Sequence, residues 1–76
     1  MTFVDKEVSS MKIILNGQPR ECAPAIALKN IVEQFCKDQR FIIAEVNGAI
    51  VKNTQWESRT LSDGDMIELV NFVGGG

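Results

Sequence analysis

The chain reads as short apolar runs with a two-residue period, two of them closed by Asn-Gly, around a single stretch with a helical period. Met11 to Leu15 is rich in β-formers and leads into Asn16-Gly17. That dipeptide is a strong hairpin signal, because both central residues of a type I′ turn need positive φ. Arg20-Glu21-Cys22 is the predicted return strand, and Pro19 assigns it to a sheet edge, since proline cannot donate to a ladder. From Ala27 to about Lys37, Leu28, Ile31, Val32 and Phe35 fall at i, i+3, i+4 and i+7, the stripe of an α-helix. Lys29, Asn30, Glu33 and Gln34 take its other face. Pro24 precedes this helix, but no Ser, Thr, Asp or Asn stands where a cap is expected. Phe41 to Val46 is the next strand, followed by a second turn at Asn47-Gly48 and a short return, Ala49-Ile50-Val51. Lys52 to Leu61 is polar around the single Trp56, which is expected to plug one end of the core. Asp63-Gly64 turns the chain into a last strand, Met66 to Val73.

The predicted order is β-β-α-β-β-β. One helix on one face of a mixed sheet satisfies the layer rule for a small α+β domain. The pattern is that of a β-grasp, or ubiquitin-like, fold, in which the first and last strands pair in parallel at the sheet centre. Alternation sorts the faces. Ile13, Leu15, Ile42, Ala44, Val46, Ile67 and Leu69 point inward, onto Leu28, Ile31 and Phe35. Ile14, Ile43, Val70 and Phe72 point outward with Lys12, Glu45 and Glu68. In this topology Ile14, Ile43 and Val70 are expected to form one apolar patch leading through Phe72 and Val73 to the C-terminus. A contiguous exposed patch marks a partner surface. Asp63, Asp65 and Glu68 are candidate charges for steering a basic partner. Residues 1–10 have no clear period and are expected to be a mobile extension, residues 11–73 the domain and residues 74–76 a tail. In the alternatives, Phe3, Val4 and Val8 dock somewhere on the domain, or residues 1–10 fold over the patch.

The tail is the feature with chemistry in it. Gly74, Gly75 and Gly76 follow directly on the apolar last strand. Three glycines will not hold a fold together, but they make a thin flexible thread of roughly 10 Å. Such a thread can enter a narrow channel and present an α-carboxylate to a reagent there.

Composition narrows the rest. Seventy-six residues with 45% apolar and 24% charged side chains suit one small globular domain. A net charge of −2 without a basic cluster argues against nucleic acid. No apolar run approaches the ~20 residues of a membrane span. No secretory signal is visible, so the expected compartment is cytoplasmic. Cys22 and Cys36 match no metal spacing and are expected to be free thiols acting as small apolar groups. The chain has no histidine, which removes the usual general base. There is no phosphate-binding glycine loop either. The expected protein is not an enzyme and binds no metal or cofactor of its own.

The chain resembles the sulfur carrier proteins of thiamine (thiazole) biosynthesis. The matching residues are Met11-Lys12-Ile13-Ile14-Leu15-Asn16-Gly17, Val46-Asn47-Gly48, Val51 with Gln55-Trp56, Leu61-x-Asp63-Gly64-Asp65-x-Ile67-Glu68, and Val73-Gly74-Gly75-Gly76. The resemblance implies that this protein is itself a substrate. A ubiquitin-activating-like adenylyltransferase would use ATP to adenylate the carboxylate of Gly76. Sulfur from a donor such as a cysteine desulfurase would then displace AMP to leave a thiocarboxylate, and thiazole synthase would take the sulfur. Sulfur carriage to molybdopterin or tRNA, and an unreactive ubiquitin-like interaction module, are the alternatives.

Overall fold

Two Asn-Gly turns set the strands. In the computed structural model, which describes residues 10–72, Asn16 and Gly17 have φ of 50° and 82°, and Asn47 and Gly48 have φ of 53° and 88°. These are the positive values a type I′ hairpin demands. The first turn joins β1 (Met11–Leu15) to β2 (Gln18–Cys22), and the second joins β3 (Ile42–Val46) to β4 (Ala49–Val51). β5 (Met66–Asn71) lies between the hairpins, parallel to β1 and antiparallel to β3. The sheet order is β2-β1-β5-β3-β4, so the expected α+β mixed sheet, with its central parallel pair, is present. Val73 and the glycine tail lie outside the described residues, as does the N-terminal extension up to Ser9.

The helix α1 (Leu28–Phe35) crosses between the hairpins and is shorter at both ends than the predicted span of Ala27 to about Lys37. Cys36 is already extended, with φ −156° and ψ 135°. The predicted stripe also errs at its last member. Phe35 is 39% exposed, whereas Cys36, one residue on, packs against the core. Leu28, Ile31 and Val32 are buried under the sheet with Ile13, Leu15, Ile42, Ala44, Val46, Ile67 and Leu69. The inward set read from alternation is therefore correct.

The missing helix cap has a structural answer. Ala27 makes no side-chain cap bond. Instead two carbonyls from the loop before β5 accept the orphan amides: Leu28 N–H donates to Arg59 at 2.8 Å and Lys29 N–H to Trp56 at 3.0 Å. Leu61 N–H returns a bond to Ile26 at 2.9 Å. Trp56 holds this loop down. The residue is 3% exposed, and Nε1 donates to the Val51 carbonyl at 2.9 Å. Trp56 is thus a core plug, as expected, and also fixes the loop that begins the helix. Cys22 and Cys36 are free thiols, half-buried against the core, and burial pushes the Cys22 thiol above its ordinary pKa.

Candidate functional site: the root of the tail and the outer sheet face

The site begins with what fixes the end of β5. β1 stops at Leu15, so the upper half of β5 has no backbone partner on that side. The Asn16 side chain takes its place: Oδ1 accepts from Leu69 N–H at 2.8 Å and Nδ2 donates to the Leu69 carbonyl at 3.2 Å. Asn47 holds the lower end, accepting from Met66 N–H at 3.0 Å and donating to Asp65 Oδ1 at 3.0 Å. On the β3 side the ladder runs to Ile42–Asn71, and Phe72 N–H donates to the Phe41 carbonyl at 2.9 Å. The segment reaching Gly76 therefore leaves from a clamped central strand.

Register divides the outer face into rows. Ile14 stands beside Met66, then Glu45 opposite Glu68, then Ile43 opposite Val70. Phe72 and Phe41 come last, with ring centroids 5.9 Å apart in an edge-to-face contact. Ile43, Val70 and Phe72 are 37%, 52% and 54% exposed, and with Phe41 they form one apolar cluster at the tail root. Ile14 is not part of it. It is half-buried and sits one acidic row away, next to the exposed Met66. The single patch expected from the sequence is thus two patches. Parity assigns each residue its face, but only strand register assigns its row.

The acidic residues also separate. Asp63 accepts from Lys12 N–H at 2.8 Å, and Asp65 accepts from Ser62 N–H at 2.8 Å. Both build the turn at the far end of β5 from the tail. The acidic charge near the apolar cluster is instead the cross-strand pair Glu45 and Glu68. Directly opposed like charges disfavour a strand pair, so the face presents negative charge ready for a cation. Glu68 was legible as a charge on this face; its pairing with Glu45 was not, because it depends on register.

A second polar feature borders the tail root. Asp38 grips Arg40 with both carboxylate oxygens, at 2.9 Å to Nε and 2.8 Å to Nη2. The guanidinium beside Asp38 holds its carboxyl down to about 2. The Arg40 guanidinium carbon lies 5.5 Å from the Phe41 ring centroid. No cluster among the described residues could hold a metal ion, and no described helix is long and apolar enough to cross a membrane.

The domain is a β-grasp, or ubiquitin-like, fold with a clamped last strand and an apolar face at that strand's end. The ThiS family model matches residues 13–76. This chain belongs to the ThiS family, small sulfur carrier proteins that are not themselves enzymes. It is 32% identical over 66 residues to the sulfur carrier protein ThiS of Escherichia coli, covering 87% of this chain and all of that protein. It matches the crystal structure of the thiamine biosynthesis protein ThiS from Geobacter metallireducens with a TM-score of 0.72 and 26% identity, over 87% of this chain and all of that one. It is also 30% identical over 66 residues to a thiazole synthase of Paramagnetospirillum magneticum, of which those residues make up 20%.

Proposed function

We propose that this chain carries sulfur as a thiocarboxylate on Gly76 for thiazole formation in thiamine biosynthesis. The observation that carries the reading is the structural frame of the tail. The last described backbone bond is at Phe72, the family match runs on through Gly76, and an apolar face with an acidic pair lies beside that strand end. A free carboxylate is a poor electrophile. Adenylation by ATP, with release of pyrophosphate, converts it to an acyl-adenylate. The persulfide of a donor such as a cysteine desulfurase displaces AMP to give an acyl disulfide, and a reducing thiol cleaves that S–S bond to leave the thiocarboxylate, whereas free sulfide displaces AMP to the thiocarboxylate directly. ATP is bound by the activating adenylyltransferase, since this sequence has no phosphate-binding loop. In this reading Ile43, Val70 and Phe72 dock the domain, with Val73, Gly74 and Gly75 threading the partner's channel. Ile14 with Met66 extends the contact beyond the acidic row. Thiazole synthase is the proposed acceptor. A relative that bears that name contains a region similar to this chain within a longer protein.

The test is intact mass after incubation with an activating adenylyltransferase of this type, ATP and sulfide. A gain of one oxygen-to-sulfur exchange, lost again on adding thiazole synthase with its substrates, is expected. No gain rules out the carrier reading. A thiocarboxylate that thiazole synthase leaves untouched, while an enzyme of molybdopterin or tRNA thiolation consumes it, moves the chain to the alternative pathway.

A further inference from the structure

Both hairpin turns place an asparagine directly before a glycine, Asn16-Gly17 and Asn47-Gly48. Glycine has no side chain to shield its backbone nitrogen. That nitrogen can attack the Cγ of the preceding asparagine. The N–H proton departs with the side-chain nitrogen as ammonia, and a succinimide ring closes. Water then opens the ring at either carbonyl, leaving aspartate or isoaspartate. Asparagine is a thermolabile residue, and this is one chemical route by which it is lost.

The two turns are not equally protected. Ring closure has to free the amide from its hydrogen bonds and let the turn open. Asn16 is held by part-buried bonds to Leu69, inside the central strand, and its turn closes a hairpin whose outer strand β2 has five residues. Asn47 is held by exposed bonds to Met66 N–H and Asp65 Oδ1, where β5 begins. Its turn closes on β4, an edge strand of three residues, of which Ala49 and Ile50 are exposed. Local opening costs least where the bonds are exposed and little is packed against them.

We propose that Asn47 is a deamidation site of the folded chain, while Asn16 is protected by its clamp on Leu69. The modification changes what holds the start of β5. Replacing Oδ1 of Asn47 by a carboxylate oxygen is harmless, since Met66 N–H still finds its acceptor. Replacing Nδ2 is not: its partner, Asp65 Oδ1 at 3.0 Å, then faces a second carboxylate. A hydrogen bond becomes a like-charge contact. Asp65 also accepts from Ser62 N–H in the turn before β5, so the repulsion bears on that turn as well. Isoaspartate adds a methylene to the main chain of a two-residue turn and so disturbs the pairing of Val46 with Ala49. Nothing in the proposal depends on sulfur carriage, and its test needs no partner enzyme.

The measurement is peptide mass mapping of the whole isolated chain, held at mildly alkaline pH in buffer and in concentrated urea. In urea, with the fold lost, both Asn-Gly pairs should convert at similar rates. In buffer the peptide with Asn47 should deamidate, and the peptide with Asn16 should lag by about 10-fold or more. An Asn16 that reacts in buffer as fast as Asn47, or an Asn47 that reacts only in urea, overturns the proposal. A double-mutant cycle tests the consequence. Asn47→Asp should lower the urea midpoint of unfolding, and the loss should shrink when Asp65→Asn is already present. Equal losses in the two backgrounds would overturn the carboxylate contact assigned to the modified turn.

Discussion

Asn16 shows how one residue can serve local and long-range structure together. Its φ of 50° makes the turn, and its amide makes both bonds to Leu69, 53 positions away. An alanine here would lose both bonds and keep an unfavourable backbone. Each bond is worth about 1 kcal/mol net, and a left-handed conformation costs an ordinary residue about 1 kcal/mol or more. Asn16→Ala should therefore destabilise the domain by about 2–3 kcal/mol, read as a lower urea midpoint at constant slope. A loss under 0.5 kcal/mol would show that β5 does not depend on this clamp. The turn was legible from Asn-Gly alone. The clamp was not, because nothing local in the sequence says that β1 ends opposite Ile67, two residues short of Leu69.

At the scale of elements, legibility followed the range of the interaction that decides each feature. Strand faces and hairpins are set by neighbours two to four residues apart, and alternation placed Ile13, Ala44 and Ile67 correctly. The start of α1 is set by carbonyls of Trp56 and Arg59, some thirty positions downstream, and no capping residue announces it. The patch was misread for the same reason: Ile14 and Val70 share a face, but their rows are fixed by which residues pair across β1 and β5. The loop carrying Trp56 consequently supports two elements at once. Trp56→Ala should cost about 3–5 kcal/mol, the usual range for an emptied aromatic site, a large share of a small domain's stability. Trp56→Phe separates the roles, since it keeps most of the buried ring and removes only the bond to Val51. Its cost should stay near 1–2 kcal/mol in thermal unfolding. Equal losses for the two variants would place the effect in the hydrogen bond rather than in packing.

For the whole molecule the question is how the domain presents the tail. In the proposed function, docking and reaction are carried by different parts and can be tested separately. Val70→Asp adds a third acidic side chain at an exposed position beside Glu45 and Glu68. The fold should survive, while affinity for the activating enzyme should fall by about 2 kcal/mol or more, as at an interface hot spot. Unchanged affinity for both activating enzyme and acceptor would remove this face from the account. If the Glu45–Glu68 row steers a basic partner at long range, association of the unmodified chain should also slow as salt rises. The tail gives the converse case. Deleting Gly76 leaves a chemically similar carboxylate on Gly75 but draws it back by about 3.5 Å. Misplacing a reacting atom by about 1 Å can already cost about 100-fold in rate. The shortened chain should fold normally, since the described core is built from residues between Met11 and Leu69, and it should compete with the intact chain for the activating enzyme through the untouched face. Its adenylation should be slower by at least that factor. Gly75→Val keeps the carboxylate at its original reach and instead puts a β-branched side chain into the channel, so it should weaken entry as well as rate. Thiocarboxylate formation followed by intact mass measures both variants. Thiolation of the chain lacking Gly76 as fast as that of the intact chain would show that reach from the docked sheet does not govern the reaction, and that Gly76 is not the reacting residue.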